Sequence, residues 1–395
     1  MSAQDRAMMN IDIWTLVLEA FEDPAVLLRY LSREMKGHVD RLLTVRYNIG
    51  NFLRPVFGTH VDAFRGVQQL TEAIIVGSWA LSFMRGYRIR GMGPLDIFVC
   101  GRHYSVLHAF LHSIGFDFAG FVPVINGYGA NWQIAPDSYY GGVRVTERLY
   151  RRAHPACSLV VVCTPRTPID ALLQAYATLS LNFLTYDRAV SLYPRATYSQ
   201  GVGLLLDFHQ WDTVARERVR RYRSEGYTLP GKLVTVRAAA AASLAPTQRF
   251  VGDSCCWVLK LDTNAGAGGH SAAYQANSFS LVSETESKTE DSLRLTSFYL
   301  KYAVIIHSNL LRREYTASTA CALYISRSLR SFIRGTRGVR HAGWTMQIDG
   351  DEDASPTTFD CDSLVLKLSE SWFRMRRLSV VIALIIMHFD PDVLA

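Results

Sequence analysis

Lysine is scarce in this chain. Of its 42 basic residues six are lysines (Lys36, Lys232, Lys260, Lys288, Lys301 and Lys367), and arginine supplies the rest of a net charge of +7. A pI near 9.0 allows an anionic partner such as a nucleotide, RNA or DNA. Arginine suits planar phosphate contacts, although an arginine- and alanine-rich composition is also what a GC-rich genome produces. Long apolar runs are missing too. The longest, Leu378 to Phe389, falls short of the roughly 20 residues that a membrane-spanning helix needs, and it reads as buried core. No charged-then-apolar leader opens the chain, because Asp5 and Asp12 interrupt its start. Cysteines are few and unpaired in pattern: Cys100, Cys157, Cys163, Cys255, Cys256, Cys321 and Cys361, with no CxxC. An odd count without a leader predicts reduced thiols inside a cell, in cytoplasm or nucleus, and neighbouring Cys255 and Cys256 are expected in a strand core. Charged residues at 19% against 49% hydrophobic exclude a disordered chain, a coiled coil and a collagen.

What is present is a chain of 395 residues, enough for about two domains at ~100–200 residues each. Residues 11–70 have helical texture, with Asp23-Pro24 placed as a helix start and a further helix over 61–70. Between 70 and 180 the pattern alternates. Strands are expected at Ala73–Val76, Leu95–Val99 and Ser158–Cys163, and helices over Trp79–Arg85, Tyr104–Ile114 and Pro168–Leu179. That alternation predicts an α+β core: a mixed sheet flanked by helices. Trp211–Ser224 is an arginine-rich helix. Residues 264–293 are poor in bulky apolar side chains and are expected to form a flexible loop, as is the acidic stretch 349–358. The division that follows is a helical segment over 1–65, a core over 66–235 and a mixed α/β extension over 236–395.

Chemistry concentrates in Ile75–Val99, IVGSWALSFMRGYRIRGMGPLDIFV. It reads as strand, Gly77-Ser78 opening a helix, loop, then a strand carrying Asp96. A Gly-Ser at a helix N-terminus lets backbone N–H groups and a hydroxyl approach a phosphate. A carboxylate on the next strand can hold Mg²⁺. This stretch resembles the nucleotidyltransferase fold, with its Gly-Ser followed by Asp-x-Asp. More narrowly it is similar to fungal, largely basidiomycete, nucleotidyltransferase-like proteins of unknown function, in which Gly-Ser and AL-x-F precede SDLDLYV. The corresponding residues here are Gly77-Ser78, Ala80-Leu81, Phe83 and Gly93–Val99. Asp62–Arg65, Asn182–Tyr193 with Pro194–Thr197, Tyr222–Tyr227 and Arg249–Thr263 resemble further blocks of those proteins, so the likeness spans about residues 45–265.

The resemblance implies a nucleotide site at Gly77 and Ser78, with Arg85, Arg88 and Arg90 in the following loop available to a triphosphate. It also implies Mg²⁺ on Asp96 as catalytic and metal-ligating residue, if the protein is active. Pro94 stands where the first acid belongs, however, and Ser158–Cys163 lacks the third. A two-metal centre needs several carboxylates, so the expectation is a pseudoenzyme that retains nucleotide or RNA binding. The alternatives are an active Mg-dependent transferase completed by Asp117, Asp137 or Glu147, and a non-enzymatic protein-interaction scaffold. Other charged features have plain readings. His108 and His112 share a helix face without a third ligand. Asp187-Arg188 reads as a structural ion pair. The arginines at 216, 218, 220, 221 and 223 read as a solvated face or a nucleic-acid groove.

Overall fold

The computed structural model describes residues 44, 46–86, 93–121, 145–151, 154–164, 167–206, 213–230, 242–244, 247–261, 272–286, 295–301, 303–305, 315–318, 321, 324, 339–342 and 345–348. The expectations for Asp23-Pro24, Arg88, Arg90, Asp137, the acidic stretch 349–358 and the apolar run 378–389 lie outside them. By its contacts the chain divides into two compact units, Met1–Thr247 with Gly252–Ser271 and Leu281–Leu300, and Gln248–Val251 with Ala272–Ser280 and Lys301–Ala395.

The first unit begins, in its described part, with two helices, α1 (Ile49–Phe57) and α2 (Val61–Thr71). Asn48 caps α1 by accepting the Asn51 N–H at 2.7 Å, and Gly58, at φ 60°, ends it. Along α2, Val61, Phe64, Gln68 and Thr71 are buried, the spacing of one helical face. Phe64 stacks on Phe57 with centroids 3.9 Å apart. Then follow β1 (Ile74–Val76), α3 (Gly77–Arg85), β2 (Leu95–Cys100), α4 (Gly101–Ser113), β3 (Phe116–Phe121), β4 (Val145–Arg151), β5 (His154–Thr164), α5 (Pro168–Leu172), β6 (Asn182–Leu184), β7 (Arg188–Ser191) and α6 (Thr213–Ser224). After β8 (Gln248–Phe250), which belongs to the second unit, β9 (Trp257–Lys260) returns to the first.

Eight strands form one mixed sheet in the order β3-β4-β5-β2-β1-β6-β7-β9. β2 and β5 run parallel, and β1 is antiparallel to both β2 and β6. The central strands are continuous apolar runs because both their faces are covered. Ile75, Ile97, Val99, Leu159, Val161, Leu184 and Ala189 join Phe52, Phe57, Phe64, Leu107 and Leu111 in one core. A second cluster packs Leu81 against Tyr176, Leu179, Leu205, Val219, Tyr222 and Tyr227. The fold is therefore α+β, with the helices 49–57 and 61–71 built into the same core as the sheet.

Most expected elements are found within a few residues, and three readings are corrected. The helix expected over Pro168–Leu179 stops at Leu172. Nearly every residue from Pro168 to Leu179 is buried, so no helical face is defined. The chain pairs instead with 204–206, through Leu206 N–H to Tyr176 O (2.9 Å) and Thr178 N–H to Leu204 O (3.0 Å). Cys255 and Cys256 are not strand core. They lie in the turn before β9, Cys255 exposed, where Asp253 accepts the Cys255 N–H at 2.9 Å. Within 264–293, α7 (Ala272–Gln275) and β10 (Ser278–Glu286) are regular structure, with Phe279 and Leu281 buried. Serines and glycines around two apolar anchors gave that stretch the composition of a loop.

In the second unit β8 pairs antiparallel with Ser278–Ser280 of β10. Asn277 accepts both the N–H (2.8 Å) and hydroxyl (3.2 Å) of Thr316, and the Ser278 hydroxyl accepts the Ser318 N–H at 3.1 Å. β12 (Ala303–Ile305) pairs with β13 (Tyr315–Ala317), and β14 (Val339–Ala342) with β15 (Thr345–Ile348); β11 (Leu295–Lys301) belongs, all but its last residue, to the first unit. Among the described residues no helix is long and apolar enough to cross a membrane.

Buried phenols give this fold an alkaline limit. Burial, then neighbouring Tyr176, pushes the Tyr222 hydroxyl well above its ordinary value of 10, and burial, then Tyr227, does the same to Tyr198. In the unfolded chain both ionise near pH 10. Above that pH the unfolded state binds fewer protons than the folded one, so stability present below it is lost as pH rises. Burial lowers Arg65 from 12.5 to about 10, which acts in the opposite direction over that interval. Tyr222→Phe is expected to flatten the fall in alkaline unfolding measured by circular dichroism. A curve as steep as that of the wild type would mean that this phenol does not govern the limit.

Candidate functional site

The site forms where β1 ends and β2 begins. Val76 is paired directly with Asp96, so the next residue, Gly77, comes up against the Asp96 side chain. A Cβ at Gly77 would lie 2.7 Å from Asp96 Oδ2, and the residue has φ of +70°, which L side chains rarely adopt. Glycine is required here on both counts. The turn launches α3, whose N-terminal N–H groups carry partial positive charge toward the carboxylate's end of the sheet. Seven of the nine α3 residues are buried; Ser78 and Arg85 are partly open.

Arginine from α6 completes the surroundings of the acid. Arg218 Nη1 stands 3.6 Å from Asp96 Oδ2, with the Asp96 side chain 9% exposed and that of Arg218 28%. This overturns the solvated-face reading for Arg218. Its neighbours follow other paths: Arg220 pairs with Glu217 at 2.9 Å, Arg221 with Glu225 at 3.0 Å, and Arg223 reaches the Leu229 carbonyl at 3.4 Å. Val219 and Tyr222 bury α6 against the second cluster, and Arg218 borders that buried face. The loop before β2 is tied down by Trp79, whose indole N–H donates to the Gly93 carbonyl at 3.0 Å.

Arg85 is not brought to Gly77 and Ser78. It lies at the far end of α3, about 12 Å along the axis at ~1.5 Å per residue. There its guanidinium sits 4.4 Å over the Tyr227 ring, and its carbonyl accepts from Arg46 at 3.0 Å. Gly226, at φ +91°, turns the chain so that Tyr227 enters this position. The Tyr222–Tyr227 block thus supports α3 at its C-terminal end. Trp257 of the Arg249–Thr263 block is buried edge-on to Tyr47 and Tyr198, at 5.9 and 5.8 Å. Asp187 and Arg188 form the expected structural pair at 3.6 Å, with Asp187 also accepting from Thr185.

A second acid for Asp96 is hard to find on this sheet. Of its eight strands, β3 and β4 are the others that carry a carboxylate, Asp117 and Glu147. Asp96 is paired with Val160 of β5, whereas position 147 is paired with Val161, on the opposite face. Asp117 is paired with Tyr150, which is paired with Ser158; that is the face of Asp96 but three strands away, about 14 Å at ~4.8 Å per strand. On this sheet, one carboxylate already facing a guanidinium does not fit a divalent-metal centre. His108 and His112 meet edge to face along α4 with ring centroids 5.8 Å apart. Among the described residues no group of three or more His, Cys, Asp or Glu is placed to hold a metal.

In comparisons with known proteins, no family model, curated protein or solved structure matches this chain.

The arginine on Asp96, the tryptophan on Gly93 and the tyrosine beneath Arg85 were not legible from sequence. The first and the last join residues far apart in the chain through side-chain reach, and the second is a side-chain contact that closes a loop. The one local signal was the position of Arg218 immediately before Val219, at the edge of an amphipathic helix.

Proposed function

We propose that the protein is a nucleotidyltransferase-fold protein with a degraded catalytic centre that retains nucleotide or RNA binding. The observation that carries this reading is the packing of Gly77 against Asp96 at the strand–turn–helix. It matches what a phosphate-approaching turn beside a metal-binding acid requires, and it stands together with Pro94 and an apolar β5, where further acids would be needed. The partly open Ser78 at the N-terminus of α3 is the residue suited to meet a phosphate, by hydroxyl and backbone N–H. Among the strands of this sheet Asp96 is the acid that faces the turn, so no transfer step is assigned to Mg²⁺ here.

A thermal-shift titration of the full chain with nucleoside triphosphates tests the reading. A rise in melting temperature that follows ligand concentration is expected, and it should shrink in Ser78→Ala. Transfer from a labelled triphosphate is expected to be undetectable in wild type and in Asp96→Ala alike. Asp96-dependent transfer would establish an active enzyme, and the absence of any ligand-dependent shift would favour an interaction scaffold.

A further inference from the structure

We infer that the guanidinium of Arg218 takes the place of a divalent cation at Asp96, so that the charge facing this acid is built into the chain and does not exchange. The assignment rests on the proposed reading for its view of Asp96 as the remnant of a metal site. Its own support is local. The carboxylate is buried, with 6% of the residue exposed, and packs against Gly77 on one side. The strand next to it places Val160 beside it. Among the described residues Arg218 brings a cation to its Oδ2 at 3.6 Å, reaching from α6 with part of its side chain still in solvent.

A buried carboxylate left uncompensated is strongly unfavourable. A transferase centre would neutralise it with a metal ion, and here arginine supplies the positive charge. Arginine remains protonated at any physiological pH, which makes the neutralisation permanent. A divalent ion entering this position would have to displace a guanidinium that the fold already holds. Phosphate recognition at Ser78, on this view, proceeds without Mg²⁺, and α6 is held against the mouth of the β1–α3 turn by the same contact.

Metal rescue tests the assignment without any nucleotide. Millimolar Mn²⁺ is expected to leave the melting temperature of the full-length wild type where it is. Arg218→Gly should melt several degrees lower and regain part of that loss with Mn²⁺. The double variant Arg218→Gly/Asp96→Asn should not respond. An Arg218→Gly protein that folds yet ignores Mn²⁺ overturns the assignment, as does a wild-type rise with Mn²⁺ that Asp96→Asn abolishes. If Arg218→Gly does not fold, a Mn²⁺ titration of wild type and Asp96→Asn, read from the electron paramagnetic resonance signal of the free ion, decides instead. Equal occupancy is expected, and an extra site in the wild type overturns the assignment. Since no arm contains a nucleotide, failure to bind one would refute the proposed function alone.

Discussion

Gly77→Ala is expected to destabilise the protein by about 2–5 kcal/mol in equilibrium unfolding by urea. Two costs combine. Holding a residue with a Cβ in the left-handed region costs roughly 1–2 kcal/mol, and overpacking a filled site adds roughly 1–3. The second cost is specific, because the new methyl group would meet Asp96 Oδ2 at 2.7 Å. The carboxylate has little room to yield: its backbone is fixed between β1 and β5, and Arg218 stands beyond it. Asp96→Ala in the same background should return part of the loss by removing the atom that clashes. If Gly77→Ala proves as stable as the wild type, the packing of the turn against the acid is wrong.

Arg218→Ala is expected to cost roughly 2 kcal/mol, below the ~3–5 kcal/mol for breaking a fully buried pair, because the arginine keeps contact with water. Asp96→Asn should cost less, since it leaves a partly hydrated cation in place of a buried anion. The decisive quantity is the coupling. In the Asp96→Asn background, Arg218→Ala should be nearly silent, giving an interaction energy of about 2 kcal/mol in the double-mutant cycle. Strict additivity of the two losses in chemical denaturation would show that the residues do not act on each other.

Local pattern carried the secondary structure well where it was strongly periodic or strongly apolar. The β-branched run Val160–Val162 is of that kind; the helix over 61–71 is found too, although two of the four residues it buries, Gln68 and Thr71, are polar. Local pattern failed where burial was indiscriminate. Residues 168–179 are buried nearly throughout, Asp170 and Thr178 included, so no one face stands apart, and pairing with 204–206 ends the helix early. It failed again at Phe279 and Leu281, whose polar neighbours masked a strand. The candidate site divides along the same line. Gly77, Ser78 and Asp96 lie within twenty residues of each other, and their strand–turn–helix–strand logic is local, so they could be read in order. Arg218 is far along the chain, and which of five arginines in α6 turns inward depends on the helix's rotation. Pairing register, which sequence does not reveal, is also what puts position 147 in line with Val161 and position 96 in line with Val160.

The burial of α3 has a consequence for variation. With both clusters gripping the helix, seven of its positions are committed to packing, and Ser78 and Arg85 are the two that reach toward solvent. Selection acting on this helix therefore has two dials, one at each end. The first sets what the turn presents beside Asp96, and the second sets how firmly the helix is moored over Tyr227. Every other substitution in α3 is judged first by whether the core will close around it.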